Sequence, residues 1–117
     1  MRGTVATIAL VGAFVFGAAC GGKSQPNVAP QPKGQQAKDT QLVAGRSIFV
    51  ANCQRCHGPR GQGLTAPRLA GVVTSSYPKL QNEINFVSNG FGAMPAWKNS
   101  LSAAQILAVV RYTREVL

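Results

Sequence analysis

Two cysteines and a histidine stand close together in the middle of the chain, in the run Cys53-Gln54-Arg55-Cys56-His57. Two thiols about one helical turn apart can each form a thioether bond with one of the two vinyl groups of a haem. The histidine that directly follows the second thiol would then lie under the iron, where its imidazole nitrogen can serve as the proximal ligand. The pattern therefore predicts a covalently attached c-type haem, held by Cys53, Cys56 and His57.

Three other uses of the same residues have weaker support. A redox-active dithiol is expected within a pattern of alternating strands and helices, which does not surround this pair. Zinc needs four ligands, whereas the chain has one histidine and three cysteines, of which Cys20 is far away in the sequence. A structural disulfide between Cys53 and Cys56 would leave His57 without a role.

A haem iron with one histidine ligand needs a sixth ligand if it is to carry electrons without binding small molecules. The two methionines are Met1, which would leave with an export signal, and Met94. A thioether opposite a histidine raises the reduction potential. Pro95, with its fixed φ and no N–H, suits a rigid loop that presses the sulfur of Met94 towards the metal. The alternative is a methionine that fills a gap in the core.

The N-terminus has the parts of an export signal. A positively charged start, Met1-Arg2, precedes an apolar run from Val5 to Phe16, and small residues follow. A run of this length is short for a membrane span, so the pattern favours a signal peptide over residues 1–19. A signal anchor that is not cleaved is the alternative.

The run Ala18-Ala19-Cys20 resembles a bacterial lipobox, in which the cysteine is lipidated and becomes the first residue of the mature chain. Ordinary cleavage after Ala19 is the alternative, and it would leave Cys20 as an unpaired thiol in an exported protein. Lipidation gives this cysteine a purpose, because two or three acyl chains anchor a protein firmly. We therefore expect the protein in the periplasm or at the outer face of the cytoplasmic membrane, held there through Cys20.

Residues 20–38 are predicted to be the lipidated cysteine and a flexible linker. The segment holds three prolines together with glutamine and glycine, and it has almost no apolar side chain with which to bury a core. A coil of about 18 residues has a root-mean-square reach on the order of 25 Å. Such a tether would keep the domain over residues 39–117 near the membrane and raise its local concentration.

The charge of the chain is strongly positive, with 12 Lys and Arg against 3 Asp and Glu, a net charge of +9. Nucleic acid is a poor partner for an exported chain, and we expect no small-molecule substrate. We expect the basic tail to face the anionic membrane and the domain to dock on redox proteins with acidic surfaces. The basic residues expected to frame the docking site are Arg55, Arg60, Arg68 and Lys98. Charges that serve solubility alone are the alternative.

The pattern after the linker is helical. Asp39 or Thr40 can cap a first helix, and this helix presents one face at helical spacing through Leu42, Gly45, Phe49 and Cys53. The helix runs directly into the haem-attachment motif. The stretch over residues 58–71 is rich in glycine and proline, so we expect a loop there that wraps the proximal side of the haem.

Two further helices are predicted towards the C-terminus. Apolar residues at helical spacing indicate a helix from Leu80 that ends at Asn89-Gly90. A last helix is expected to begin at Ser102, where Gln105 three residues later completes a capping box. No strand pattern competes with these helices, so the predicted fold class is all-α, with three to four helices around one haem.

With these features in place, residues 40–117 resemble a class I cytochrome c of the small bacterial single-haem kind. The matching positions are Gly45, Phe49, Cys53, Cys56, His57, Pro67, Met94, Pro95 and Tyr112. The resemblance implies that the terminal helices cross at Gly45. It also implies that the backbone carbonyl of Pro67 accepts a hydrogen bond from Nδ1–H of His57, and this bond would orient the imidazole ring.

The resemblance further implies an electron-transfer protein rather than an enzyme. We expect a membrane-tethered carrier that moves single electrons between respiratory-type redox partners. A fixed haem subunit of a larger dehydrogenase, or of a terminal reductase or oxidase, is the first alternative. A haem-based sensor is the second alternative, and it would need an open or labile sixth position on the iron.

Overall fold

The computed structural model describes residues 27–117, and these residues form a helical domain. Its α-helices are α1 (Thr40–Ile48), α2 (Gln54–His57), α3 (Val73–Ser76), α4 (Leu80–Asn89) and α5 (Ala103–Glu115). Short 3-10 helices cover Gly34–Lys38 and Trp97–Asn99. Within residues 27–117 the extended pairing is limited to an isolated bridge between Phe91 and Met94. The predicted all-α class is confirmed, while the predicted signal peptide and Cys20 lie outside the described residues.

The helix that leads to the haem motif begins where the sequence predicts. The carboxylate of Asp39 accepts hydrogen bonds from the backbone N–H groups of Gln41 (2.9 Å) and Leu42 (3.3 Å), which caps the first turn. A π-helical turn over Phe49–Cys53 then joins α1 to α2 without interrupting the helical run. The attachment motif is therefore the C-terminal end of one nearly continuous helical segment.

Helices α1 and α5 cross at close range because the contact point on α1 is a glycine. A Cβ built on Gly45 would overlap the backbone carbonyl of Ala108 and come within 2.9 Å of the Cβ of Tyr112. One turn further along α1, the ring of Phe49 packs on Tyr112 with ring centroids 5.4 Å apart. Both aromatic residues are fully buried, so this crossing is the centre of the core.

Helix α5 contributes to two hydrophobic clusters. Its N-terminus is fixed by the predicted capping box, in which Ser102 and Gln105 exchange side-chain and backbone hydrogen bonds. The first cluster contains Ala29, Phe49, Val109 and Tyr112. The second cluster contains Trp97, Ile106 and Val110. Helix α5 therefore packs into both hydrophobic clusters.

A buried ion pair joins α4 to α5. Glu83 is only 4% exposed, and its carboxylate accepts hydrogen bonds from Arg114 (2.9 Å) and from the hydroxyl of Thr113 (2.8 Å). The same guanidinium also donates to the backbone carbonyl of Tyr77 at 2.8 Å. Each charged group therefore has a partner, as a buried pair requires. No sequence pattern had indicated this network.

Residues 29–38, which we call the strap, are packed against the domain and differ here from the expected flexible linker. The backbone carbonyl of Ala29 accepts two hydrogen bonds from Arg46, at 3.0 and 3.1 Å. The carbonyl of Pro30 accepts one from the hydroxyl of Tyr112 at 2.8 Å. Further along, the side chain of Gln36 donates to the backbone carbonyl of Glu115 at 2.8 Å. Because the partners of these strap residues lie on α1 and α5, the strap lies against the crossed helix pair.

Among residues 27–117, no helix is both long enough and apolar enough to cross a lipid bilayer.

Candidate haem site

His57 lies at the end of α2 with one ring nitrogen already engaged. Its Nδ1 is 2.8 Å from the backbone carbonyl oxygen of Pro67. Because a carbonyl can only accept, Nδ1 carries the proton and donates it. The proton on Nδ1 leaves the lone pair on Nε2, the nitrogen that would face a metal. The geometry is the one that the resemblance implied for Pro67.

The proximal loop, residues 58–71, is folded back onto the motif by backbone hydrogen bonds. The carbonyl of His57 accepts from the N–H of Gly63 (2.7 Å), and the carbonyl of Cys56 accepts from the N–H of Ala66 (3.0 Å). Gly63 has a φ of 89°, a left-handed conformation that glycine adopts without strain. These bonds bring Pro67 under His57, so the main chain of the loop fixes the imidazole.

The two thiols of the motif lie in the same short helical segment. Cys53 and Cys56 are both half-buried, and neither is in a disulfide. Burial, with a smaller contribution from Cys56, raises the pKa of the Cys53 thiol to about 11. Within residues 27–117 no group of three or more histidine, cysteine, aspartate or glutamate side chains could hold a metal ion, which disfavours the zinc interpretation. Both sulfurs are free to form thioether bonds.

Met94 lies in a separate tight turn, which we call the distal turn (residues 90–95). The backbone groups of Phe91 and Met94 exchange two hydrogen bonds, at 2.9 and 3.2 Å, which close the turn. Met94 is half-buried and packs against the second cluster, which contains Trp97. Trp97 itself is 8% exposed.

The donor set and its surroundings fit a haem. The chain presents two free thiols, an imidazole oriented by its Nδ1 bond, and a thioether on a separate turn. Large apolar side chains are exposed in the polypeptide at Leu64 of the proximal loop (63%) and at Phe91 of the distal turn (77%). Apolar groups with this exposure suit contact with an apolar macrocycle. In the sequence, both are large apolar residues next to glycines in a loop, in Gly63-Leu64 and in Gly90-Phe91-Gly92.

The basic residues expected beside the haem edge do not all share one environment. Arg60 and Arg68 line a groove together with Lys33 of the strap. Lys98 instead donates a hydrogen bond to the side chain of Asn89 at the end of α4 (2.8 Å). Arg55 is exposed on α2.

The fold and this donor set define a class I cytochrome c with a single haem. The family model described as "Cytochrome C oxidase, cbb3-type, subunit III" matches residues 40–112, and the chain belongs to this family of cytochrome c domains. As in other members of the cytochrome c family, the cofactor is one covalently attached haem c.

Curated relatives fall into two groups. The chloroplastic cytochrome c6 of Chlamydomonas reinhardtii is 36% identical over 81 residues, which is 65% of this chain and 55% of that protein. The cbb3-type cytochrome c oxidase subunit CcoP of Rhodobacter capsulatus is 33% identical over 97 residues, 74% of this chain and 33% of that protein. The chain therefore spans about half of the first relative and a third of the second.

Among solved structures, the chain is similar to cytochrome cL from Methylophaga aminisulfidivorans. The match has a TM-score of 0.55 and 26% sequence identity, and it covers 65% of this chain and 55% of that one. The resemblance inferred from the residues is thus confirmed by family, by curated sequence and by fold.

Proposed function

We propose that the protein is a one-electron carrier that is tethered to the outer face of a membrane and passes electrons between respiratory-type redox partners. The observation that carries the proposal is the 2.8 Å contact between Nδ1 of His57 and the carbonyl oxygen of Pro67. A ring whose Nδ1 proton and orientation are fixed by the main chain presents Nε2 as a permanent axial ligand. Gas sensing would need an open sixth position on the iron, which in this proposal is filled by the sulfur of Met94.

Each site residue has a stated role in this proposal. The sulfurs of Cys53 and Cys56 form the two thioether bonds, and Nε2 of His57 and the sulfur of Met94 are the axial ligands. Pro67 acts through its carbonyl by positioning His57. Haem c supplies one-electron redox chemistry when it is bound, and a histidine and methionine pair raises its potential. The polypeptide's part is to hold both ligands in nearly fixed positions, so that little rearrangement accompanies each transfer.

The tether and the docking charge complete the proposal. Cys20 carries the lipid that holds the protein to the membrane, and the basic domain docks on acidic surfaces of its redox partners. Support comes from the net charge of +9 and from the lipobox-like residues before Cys20. Because electrostatic steering is screened by salt, the rate of electron transfer to an acidic partner protein is expected to fall as ionic strength rises.

A redox titration of the purified holoprotein tests the carrier function. We expect a single reversible transition with a slope of about 59 mV per tenfold change in the oxidised-to-reduced ratio, as a one-electron couple requires. The ferrous protein is expected to resist carbon monoxide, because Met94 occupies the sixth position. Ready binding of carbon monoxide would instead favour the sensor.

A fixed haem c subunit of a terminal oxidase is the second candidate, and the family match over residues 40–112 favours it specifically. The two candidates differ in how the protein behaves after mild detergent extraction. A subunit is expected to co-purify with an oxidase at constant stoichiometry, whereas a carrier separates from it.

A further inference from the structure

A groove with a volume of about 680 Å³ lies between the strap, the proximal loop and the C-terminal end of α5. Its cationic lining comes from separate parts of the chain, with Lys33 on the strap and Arg60 and Arg68 on the proximal loop. The four residues proposed to hold the haem, Cys53, Cys56, His57 and Met94, are not part of its lining. The groove is therefore a surface separate from the proposed ligand set.

The cations of the groove are available to an external anion. Within residues 27–117, the side chains of Lys33 and Arg60 make no hydrogen bond or ion pair, and Arg68 uses only Nε, in a bond to the carbonyl of Ala70. The acidic side chain in the lining is Glu115, whose two oxygens are both bound by Arg111, at 2.8 and 3.1 Å. The three cations of the groove thus have no acidic side chain in the lining as a partner.

The docked strap limits how far the groove can lie from the membrane. Ala29 is 2% exposed and fixed to Arg46, and it is nine residues from Cys20 in the sequence. Nine residues span at most about 30 Å when fully extended. A lipid on Cys20 would therefore hold the strap, and with it the groove, within about 30 Å of the bilayer surface. If the strap were not docked, the tether would extend to Asp39, and the limit of about 30 Å would not apply.

We propose that the groove faces the membrane and that Lys33, Arg60 and Arg68 bind the phosphate groups of anionic phospholipids. The inference rests on the proposed lipid anchor for its geometry, while the charge of the groove is independent of the anchor. The strap, docked at the α1–α5 crossing, sets the orientation of the domain on the bilayer. The thioether and axial ligands are not part of the groove, and of the four basic residues expected to frame the partner-docking site, Arg55 and Lys98 also lie outside its lining. In this proposal Arg55 and Lys98 remain for partner proteins, while Arg60 and Arg68 contact lipid.

Vesicle co-sedimentation tests the surface. The haem-loaded full chain with Cys20→Ser, which cannot be acylated, is mixed with vesicles of phosphatidylcholine alone or of phosphatidylcholine and phosphatidylglycerol in equal parts. We expect a clear preference for the anionic vesicles. In the double variant Arg60→Gln, Arg68→Gln this preference falls by roughly tenfold or more, since each basic residue near an anionic surface changes the affinity by about fivefold.

The matched control removes the same charge from elsewhere on the domain. In Lys79→Gln, Lys98→Gln the preference is expected to fall by less than about threefold, as distant charges are screened. An equal loss in both double variants would show a general effect of net charge and overturn the proposal. The absence of any anionic preference in the Cys20→Ser protein would overturn it as well.

Two further measurements distinguish this proposal from a site for free phosphate and from the proposal of the lipid anchor. Inorganic phosphate is added at constant ionic strength, and we expect it to leave vesicle binding unchanged, whereas displacement would show a site for free phosphate instead of a lipid surface. Mass spectrometry of the unsubstituted protein extracted from membranes reports the acyl chains on Cys20. An acylated protein without groove-dependent lipid preference refutes the groove alone, whereas an unacylated Cys20 refutes the anchor.

Discussion

The proximal and distal sides of the domain hold their ligands in different ways. On the proximal side, His57 is fixed by a hydrogen bond from its own ring, and its loop is closed by backbone bonds to Cys56 and His57. On the distal side, the sulfur of Met94 is held by packing against the second cluster, in a turn closed by two backbone bonds to Phe91. A directional hydrogen bond therefore orients the histidine side chain, whereas apolar contact holds the methionine side chain.

Because the two ligands are supported differently, nearby substitutions should affect them differently. The proximal support is main-chain, so replacing Pro67 leaves its carbonyl in place. The distal ligand is a side chain in an exposed turn, next to Phe91, which is 77% exposed. Substitutions on the distal side are therefore expected to change the redox properties more than comparable ones on the proximal loop.

The largest effect is expected from Met94→Ala compared with Pro67→Ala. Loss of the thioether should lower the reduction potential by on the order of 0.2 V, a part of the roughly 0.8 V that axial ligands span, and should let the ferrous protein bind carbon monoxide. Pro67→Ala should shift the potential by a small fraction of that, since the acceptor carbonyl remains. Potentiometric titration of both holoproteins measures the pair. Similar shifts of the potential in the two variants would contradict the stated difference between the distal side and the proximal loop.

Two glycines compare the buried helix crossing with the distal turn. Gly45→Ala should lower the free energy of unfolding by about 3 kcal/mol, because the new methyl group overlaps the backbone of Ala108. Gly92→Ala should cost about 1 kcal/mol, because its φ of 57° is strained for alanine while nothing lies within 4 Å of the new Cβ. Denaturant unfolding of both holoproteins gives the two values. A cost at Gly45 no greater than that at Gly92 would contradict the close crossing of the helices.

The buried ion pair is the one charged contact by which the distal helix α4 is tied to α5 within residues 27–117. Glu83→Gln should cost about 2 kcal/mol, because Arg114 loses its carboxylate partner while the amide can still accept from Thr113. The matched change Glu115→Gln, in an exposed pair with Arg111, should cost less than about 1 kcal/mol. Chemical denaturation compares the two variants, and equal costs would show that burial does not set the difference.

The smallest effect concerns the strap. Tyr112→Phe removes the hydrogen bond to the carbonyl of Pro30 and should cost about 1 kcal/mol. Tyr77→Phe is the control, because the hydroxyl of Tyr77 makes no hydrogen bond within residues 27–117, and it should cost no more than a few tenths of a kcal/mol. Thermal unfolding at neutral pH measures both. A cost at Tyr112 no larger than that at Tyr77 would show that the strap adds nothing to stability.

The same tyrosine gives an alkaline pH dependence. Burial raises the pKa of Tyr112 to about 12 in the folded protein, whereas an unfolded chain has a tyrosine pKa of about 10. The contribution of the neutral phenol is therefore fully present below pH 10 and is lost as the pH rises from about 10 to about 12. Unfolding measured across this range should show a weaker pH dependence in Tyr112→Phe. An unchanged profile would mean that this phenol is not buried.

Local patterns were enough to predict most of the fold. The cap at Asp39, the stop after Asn89 and the capping box at Ser102 are each written in neighbouring residues, and the structure has all three. The glycine at position 45 was predicted from its place in the family pattern, and its close contact with α5 is present. The bond between His57 and Pro67 was likewise implied by the resemblance.

The parts that the sequence did not predict depend on partners far apart in the chain. The composition of the strap indicated a flexible coil, because a proline- and glutamine-rich segment carries no sign that Arg46 and Tyr112 will bind its carbonyls. Glu83 and Arg114 are 31 residues apart, and neither pattern nor charge spacing connects them.

The central claim is that one haem is covalently bound through Cys53 and Cys56. Its most direct test is mass spectrometry of the purified protein before and after extraction with acidified acetone, followed by mapping of the peptide that carries the pigment. We predict that the mass of one haem stays with the polypeptide and maps to the peptide containing both cysteines. A colourless protein, or a pigment that passes entirely into the solvent, would contradict the account.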